Sequence, residues 1–253
     1  MNENNLIEYY NKFNEDKRLK RRHGQVEFLT TIKYIEKYLK DGDKILDVGA
    51  GTGVYSEYFN NKYDVVAVEL VKHNLRYIEE KGIECYQGNA TDLSRFDDNS
   101  FDIVLLFGPL YHLISYENKL KALKEAKRVV KNDGLIFISY CMNDFAIIKH
   151  GFMERNILDS VNNKLIDDNF NIVSKDTDLY SFVRIEDIYK LKDDSGLREQ
   201  LIINQDGPCE YMRSDLNKLN DEEFSLFLKY HFSVCERIEL LGAGRHILHI
   251  LKK

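Results

Sequence analysis

The chain has 253 residues, of which 43% are hydrophobic and 31% are charged. This composition is that of an ordinary globular protein, and it excludes disordered, collagen-like and low-complexity classes. The 36 basic and 42 acidic residues give a net charge of −6, which disfavours nucleic acid as a partner. The length allows one to two domains, and we expect one domain with an elaboration.

Membrane and metal partners are not predicted. No apolar run approaches the roughly 18 residues that cross a bilayer, and the first 16 residues are polar and acidic, unlike a signal or transit peptide. We therefore expect a cytoplasmic protein. The cysteines are single residues without a C-x-x-C pair, which predicts neither a zinc ribbon nor a disulfide framework.

The first half of the chain alternates between helical and strand periods. Phe28, Ile32, Ile35 and Leu39 have the spacing of an amphipathic helix that ends near Gly42. Predicted strands follow at 44–48, 63–69, 83–87, 101–107 and 134–141, with helices at 52–61, at 73–81 before Gly82, and after an N-cap at Ser115. Apolar strands alternating with helices predict an α/β fold, a Rossmann-like doubly wound, mostly parallel sheet with helices on both faces.

The pattern loosens after about residue 143. We predict one or two helices in 145–166, an extended piece and a helix in 179–192, a strand at 197–204, a long helix at 215–237 and a final strand at 246–252, giving seven strands. We interpret the chain as one domain, with a helical cap at 1–43, a cofactor-binding core at 44–142, a helical lid insertion at 143–180 and the rest of the core at 181–253.

A glycine-rich turn follows the first strand, in the sequence LDVGAGTG at 46–53. Glycines there let the backbone approach a ligand beside the N–H groups of a helix N-terminus. The dinucleotide fingerprint G-x-G-x-x-G requires glycine at 54, where the chain has Val54, so NAD and FAD fit poorly. Glu69 stands 20 residues after Gly49, at the end of the second strand, where it can accept hydrogen bonds from both hydroxyls of a ribose.

This pairing of loop and acid resembles the first two motifs of the class I S-adenosylmethionine-dependent methyltransferases. The segment Gly88-Asn89-Ala90 resembles the third motif of that family, usually Gly-Asp-Ala, which binds the adenine edge. The segments GPLYHL at 108–113 and LLGAGRHILHI at 240–250 are similar to a bacterial subgroup that methylates small molecules and places a helix between the last two strands.

The resemblance implies S-adenosylmethionine as cofactor and S-adenosylhomocysteine as product. Asp47 and the glycine loop would line the methionine and ribose portions, Glu69 would hold the ribose, and the amide oxygen of Asn89 would accept from the adenine amine. Phe107 and Gly108 would present backbone near the sulfonium. The residues that match the cofactor motifs are Asp47, Gly49, Ala50, Gly51, Glu69, Leu70, Asn89, Ala90, Phe107 and Gly108.

Four further residues are candidates on chemical grounds. Tyr10 and Arg18 could bind the carboxylate of the cofactor, although a charged helix face explains them as well. His112 follows the fourth strand and has the ordinary pKa of a base at neutral pH, and Tyr111 beside it would form a wall of the acceptor pocket. The alternatives are a histidine that starts a helix and a core tyrosine.

Two histidines on the last strand are not a metal pair. His246 and His249 are three positions apart, so without a bulge their side chains lie on opposite faces of the strand.

The acceptor is predicted to be a small molecule. Phe107-Gly108-Pro109-Leu110 lacks the Asp/Asn-Pro-Pro-aromatic motif of DNA amino methylases, and Pro208-Cys209 is interpreted as a turn beside a buried thiol. The basic run at 17–22 leaves an RNA methyltransferase as one alternative, with a solvated helix face as the simpler explanation. A second alternative is a catalytically silent protein that binds the cofactor. The sequence carries no signal of oligomeric state.

Overall fold

The computed structural model describes residues 18–253, which form one sheet with helices on both faces. The strands are β1 (Lys44–Val48), β2 (Asp64–Glu69), β3 (Glu84–Gln87), β4 (Phe101–Leu106), β5 (Val130–Cys141), β6 (Arg198–Asn204) and β7 (His246–Lys252). The α-helices are α1 (Arg22–Glu36), α2 (Val54–Asn60), α3 (Lys72–Glu80), α4 (Pro109–His112), α5 (Tyr116–Val129), α6 (Asn143–Ala146), α7 (Ile157–Asn162), α8 (Ile185–Ser195), α9 (Arg213–Leu216) and α10 (Asp221–Val234). A π-helix (Ile147–Met153) continues α6, and a 3₁₀ turn (Ile238–Leu240) precedes β7.

The sheet has the strand order β3-β2-β1-β4-β5-β7-β6. β7 is antiparallel to both β5 and β6, while the other neighbouring pairs are parallel. This confirms the predicted Rossmann-like, mostly parallel seven-stranded fold. The strand order reverses between β1 and β4, and ligands of such sheets bind at the carboxyl ends of the strands beside that reversal.

Alternation along β1 distributes its side chains between the two faces of the sheet. Ile45 belongs to the core cluster that includes α1, and Leu46 and Val48 belong to the cluster that includes α5 and α8. All three are fully buried. Apolar side chains therefore cover β1 on both faces of the sheet. The glycine-rich loop leaves from the carboxyl end of this buried strand.

Helix boundaries differ from the predictions at two places. α1 ends at Glu36, and Leu39 packs against the core from the following turn. The long helix predicted at 215–237 is divided into α9 and α10, because the Asn220 side chain accepts a hydrogen bond from the Glu223 N–H at 3.0 Å and starts a new helix there.

The segment 143–180 leaves the sheet and returns beside the same strand end. Met142, directly after β5, forms a parallel bridge with Val183. The Asn143 side chain fastens the segment internally, donating to the Phe170 carbonyl and accepting from the Ile172 N–H, both at 2.9 Å. Across residues 18–253, none of the helices combines the length and apolar content needed to cross a membrane.

Candidate active site

A cleft opens at the carboxyl ends of β1, β2 and β4, where the strand order predicts a ligand. We call it the cofactor cleft. It is lined by eight of the residues singled out in the sequence: Gly49, Gly51, Glu69, Leu70, Asn89, Ala90, Gly108 and His112. Gly88, from the segment that resembles the third motif, also lines the cleft, and Asn74, Pro109 and Leu113 complete the lining among the described residues without having been candidate site residues.

Two glycines of the loop have conformations that other residues rarely adopt. Gly49 has φ +73° and Gly51 has φ +57°, both in the left-handed region. A Cβ on Gly49 would lie 2.7 Å from the Pro109 ring, whereas a Cβ on Gly51 would meet nothing within 4 Å and would project into open space. Gly49 therefore permits close packing, and Gly51 leaves room for a ligand along the loop.

Glu69 is in direct contact with this loop. Its Oε2 accepts a hydrogen bond from the Gly51 N–H at 2.8 Å, and its Oε1 accepts one from the Val71 N–H at 2.7 Å. The side chain is buried, and burial raises its pKa to about 7, against the opposing effect of hydrogen bonds from Val71, Gly51 and Asn74. A carboxylate has about four acceptor positions, so Glu69 can still accept a hydrogen bond from a ligand hydroxyl beside those from Gly51, Val71 and Asn74.

Asp47 lies behind the loop instead of in the cleft. Its Oδ2 accepts a hydrogen bond from the Ser56 hydroxyl at 2.6 Å, and burial raises its pKa to about 6. Since Asp47 and Ile45 share one face of β1, the carboxylate points toward α2 and fixes the start of that helix. Asp47 thus supports the start of α2 beside the loop, and its contact with the cofactor stays a prediction. Ala50 is likewise outside the described lining and packs against the apolar cluster that includes α1.

Asn89 uses its amide oxygen within its own turn. Asn89 Oδ1 accepts hydrogen bonds from the Thr91 N–H and the Thr91 hydroxyl, both at 3.0 Å. This occupies the oxygen that the resemblance assigned to the adenine amine. Asn89 and Ala90 still line the cleft. They can therefore pack against an adenine, and the hydrogen bond from the adenine amine to that oxygen stays a prediction.

At the end of β4, Gly108 lies beside the glycine loop and Phe107 packs against α2. Gly108 approaches the loop so closely that a Cβ there would lie 3.4 Å from the Gly49 carbonyl. The Phe107 side chain turns away from the cleft and packs against Tyr55, with ring centroids 4.8 Å apart. Phe107 is therefore absent from the described lining, and its ring holds α2 against the sheet.

His112 ends α4 at the mouth of the cleft. Its Nδ1 lies 2.8 Å from the Leu179 carbonyl oxygen, which can only accept, so Nδ1 carries the proton and Nε2 is the acceptor atom of the ring. Burial lowers the pKa of His112 to about 4, which keeps the imidazole neutral at pH 7. The ring centroids of Tyr111 and Tyr180 lie 4.8 and 5.1 Å from that of His112.

A second cavity of about 700 Å³ lies on the same edge of the sheet, and we call it the charged chamber. Tyr180 is part of its lining, as are residues before α1, after β5 and before β7. Arg18, predicted to bind the cofactor, lines this chamber and forms a two-fold ion pair with Glu27 at 2.6 and 2.9 Å. Tyr10 lies outside the described residues.

Buried charges lie behind the chamber, and sequence reasoning missed most of them. His246 Nδ1 lies 2.9 Å from Asp206 Oδ2 and 3.4 Å from Glu27 Oε2. Burial alone would lower the pKa of His246, but Glu27 and Asp206 hold it well above its usual value. These three groups are close enough to ligate a cation. Arg18 already pairs with both oxygens of Glu27, which makes the set an ion-pair network. His249 binds Glu199 at 3.1 Å.

Comparison with known proteins agrees with this geometry. Residues 46–138 match the model of a methyltransferase domain. These residues form a class I S-adenosylmethionine-dependent methyltransferase domain. The match spans β1 to β5 and contains the glycine loop, Glu69, Asn89 and His112. S-adenosylmethionine is therefore the cofactor of this domain, and the cofactor cleft is its candidate site, because the space beside Gly51 and the Glu69 carboxylate fits a ligand with ribose hydroxyls.

Individual relatives match part of the chain. An uncharacterized protein of Methanocaldococcus jannaschii is 31% identical over 145 residues, which is 56% of this chain and 53% of the relative. The demethylmenaquinone methyltransferase of Paenarthrobacter aurescens is 36% identical over 104 residues, 40% of each chain. The chain thus spans about half the length, or less, of these curated relatives.

A solved structure extends the comparison of the fold to the whole chain. An S-adenosylmethionine-dependent methyltransferase from Thermotoga maritima is 18% identical, with a TM-score of 0.63 over 99% of both chains. At this identity the likeness concerns the fold alone. It includes the part after residue 138, which the domain model does not match.

Proposed function

We propose that the protein transfers a methyl group from S-adenosylmethionine to a small-molecule acceptor and releases S-adenosylhomocysteine. The observation that carries the proposal is the contact of the Glu69 carboxylate with the Gly51 N–H at 2.8 Å, which brings the acid expected to bind the ribose and the glycine loop together in the lining of one cleft. The cofactor supplies an electrophilic methyl group when it is bound.

The residues of the cleft bind, orient and exclude water. Glu69 accepts hydrogen bonds from ribose hydroxyls, Gly51 leaves space for the ligand, and Gly108 holds the end of β4 against the loop. Such positioning accounts for much of the rate of an in-line displacement. His112 acts at the mouth of the cleft as a neutral acceptor through Nε2, which orients the acceptor or takes up its proton.

The small-molecule class of the acceptor rests on the size of the cavity beside the cleft. The charged chamber adjoins the cleft through the rings of Tyr180 and His112, and its volume lies within the roughly 300–1,000 Å³ that small-molecule pockets occupy. The relative from Paenarthrobacter aurescens is named for a small-molecule acceptor. We propose that 143–180 acts as the lid of this site, that the chain belongs with the bacterial small-molecule enzymes, and that it works in the cytoplasm.

An RNA acceptor is the weaker alternative. Two arginines of the basic run pair with acids of this chain: Arg18 pairs with Glu27, and Arg22 pairs with the exposed Asp221 at 2.7 Å and lies over the Phe224 ring. These contacts reduce the positive charge that the run offers to phosphates. RNA binding that falls steeply with salt would favour this alternative over a small molecule.

The test has two stages. Isothermal titration with S-adenosylmethionine and S-adenosylhomocysteine, with NAD as control, should show micromolar binding of the first two and none of NAD. Release of S-adenosylhomocysteine should then be measured over a panel of small acceptors. Binding without turnover on any acceptor would favour the silent cofactor-binding protein, and absence of binding would refute the proposed function.

A further inference from the structure

The charged chamber has a surplus of positive charge. Its lining contains two carboxylates, Glu154 and Glu210, and five cationic side chains among the described residues: Arg18, Arg21, Lys149, Arg213 and Arg245. This local excess contrasts with the chain's net charge of −6. The surplus therefore belongs to this cavity and does not follow from the composition.

The carboxylates in contact with these cations do not neutralise all of them. Glu27 offsets Arg18, and Glu154 offsets Lys149 at 3.2 Å. Two arginines share one carboxylate, because Glu210 pairs with Arg213 at 2.6 Å through Oε2 and with Arg245 at 3.2 Å through Oε1. The chamber thus keeps positive charge after its internal pairs are counted.

Arg245 is the best placed of these cations. It directly precedes β7, and its side chain is only 24% exposed. Within residues 18–253, Glu210 is the one carboxylate within 4 Å of its guanidinium, and the single hydrogen bond described for that group is Nη1 to Glu210. A guanidinium has five N–H donors in a planar fork that matches a carboxylate or phosphate.

The chamber meets the cofactor cleft at a wall of aromatic rings. Tyr180 lines the chamber and His112 lines the cleft, with their ring centroids 5.1 Å apart. Tyr111 lies 5.9 Å from Tyr180 and 6.2 Å from the His246 ring. Tyr180 and Arg245 line the same chamber, so a molecule bound there lies between Arg245 and the rings that border the cleft.

We propose that the charged chamber binds an acidic acceptor, a small molecule whose carboxylate or phosphate pairs with Arg245 while its reacting atom lies at the His112–Tyr180 wall. This inference rests on the proposed function, because it names the class of molecule that is methylated. Arg21 and Arg213 add attraction at the chamber's more exposed side.

The inference is tested by calorimetry in low-salt buffer with inorganic phosphate, benzoate and benzyl alcohol as probes. We expect millimolar binding of one anion or both and no binding of the neutral alcohol. Stronger binding of phosphate or of benzoate identifies which acidic group the site prefers. Arg245→Met should weaken anion binding at least tenfold, and Arg245→Lys should weaken it less because the charge remains.

Two further variants guard against misfolding and nonspecific binding. Arg21→Met changes an exposed chamber residue and should weaken anion binding severalfold, whereas Arg237→Met removes a cation outside the chamber and should leave it unchanged. Titration with S-adenosylhomocysteine reports whether each variant is folded. If the wild type binds S-adenosylhomocysteine and neither anion, or if the arginine variants bind anions like the wild type, this inference is wrong. Failure of the wild type to bind S-adenosylhomocysteine would instead refute the proposed function.

Discussion

The N–H of Gly51 donates a hydrogen bond to Oε2 of Glu69 at 2.8 Å, joining the loop after β1 to the end of β2. Glu69 therefore supports the glycine loop in addition to its proposed role as the acid that binds the ribose. Removing its carboxylate should affect the site in both ways, so variants must separate binding from stability.

We expect Glu69→Ala to weaken S-adenosylhomocysteine binding by about 1.5–3 kcal/mol, as is typical of hydrogen bonds to a charged group. Isothermal titration measures the loss, and urea unfolding measures any change in stability. Glu80→Gln, an exposed acid on α3, is the matched control. Equal affinities of Glu69→Ala and the wild type would remove Glu69 from the binding site.

Cofactor affinity should rise with pH across neutrality. Burial raises the pKa of Glu69 to about 7, and the ribose hydroxyls donate to the ionised carboxylate. Affinity should therefore be greatest above pH 7 and fall by up to about tenfold at pH 6. Glu69→Gln should remove most of this dependence. Asp47 has a pKa of about 6, so Asp47→Asn shows how much of the pH dependence of affinity comes from Asp47. A wild-type affinity that does not change between pH 5.5 and 8.5 would contradict the prediction.

The two glycines of the loop should respond differently to alanine. Both have positive φ, so each change costs about 1–2 kcal/mol of folding free energy. Gly49→Ala adds a clash with Pro109 and should be the less stable variant by urea unfolding. Gly51→Ala should fold better but bind S-adenosylhomocysteine poorly, since its methyl group projects into the cleft. The reverse ranking in both assays would refute this division.

His112→Ala should leave cofactor binding nearly intact and lower turnover by about 10²-fold if Nε2 takes up a proton. With a pKa near 4, His112 is neutral throughout the range in which an ordinary histidine titrates. The wild-type pH–rate profile should therefore show no titration of His112 near pH 6.5. His112→Asn should lower the rate without removing a step in that range. Turnover of His112→Ala equal to that of the wild type would show that the ring serves packing alone.

The buried network should make stability depend on pH in two directions. His246 has a raised pKa, so its contribution is complete below its usual value and is lost as pH rises through the raised one. Glu27 has a pKa well below its usual value, because Arg18 and His246 outweigh the effect of burial. Its contribution is present above about 4.5 and is lost as pH falls through the lowered value.

Glu27→Gln should consequently destabilise the fold by about 3–5 kcal/mol at pH 7, because it leaves buried cations unpaired. Urea unfolding between pH 4 and 9 measures this effect. Glu36→Gln on the same helix is the control, as its carboxylate contacts an exposed tyrosine hydroxyl. A loss in Glu27→Gln no larger than in the control would mean that the network contributes little to stability.

The sheet and the cofactor cleft follow from local sequence signals, whereas the charge network does not. The apolar strands, the glycine loop and Glu69 each occupy a short segment whose period or spacing indicates its place. Arg18, Glu27, Asp206 and His246 lie on four separate segments and acquire meaning only when the fold brings them together. Asp47 shows what a motif leaves undetermined. The spacing predicts its place on β1, but it does not predict that its carboxylate accepts a hydrogen bond from Ser56. The capping box at Asn220 was a readable signal that the predicted long helix overlooked.

The position of β7 between β5 and β6 imposes an order of assembly. Among the described strands, β6 pairs with β7 alone, so it can join the sheet only after a strand that follows it in the chain. The same pairing brings Arg245 and His246 beside Asp206 at the head of β7. The half of the sheet that carries the charged chamber should therefore form last, because its strands pair only through contacts that are distant in sequence. Amide protons of β6 should then become protected after those of β1 and β4 in pulse-labelling during refolding.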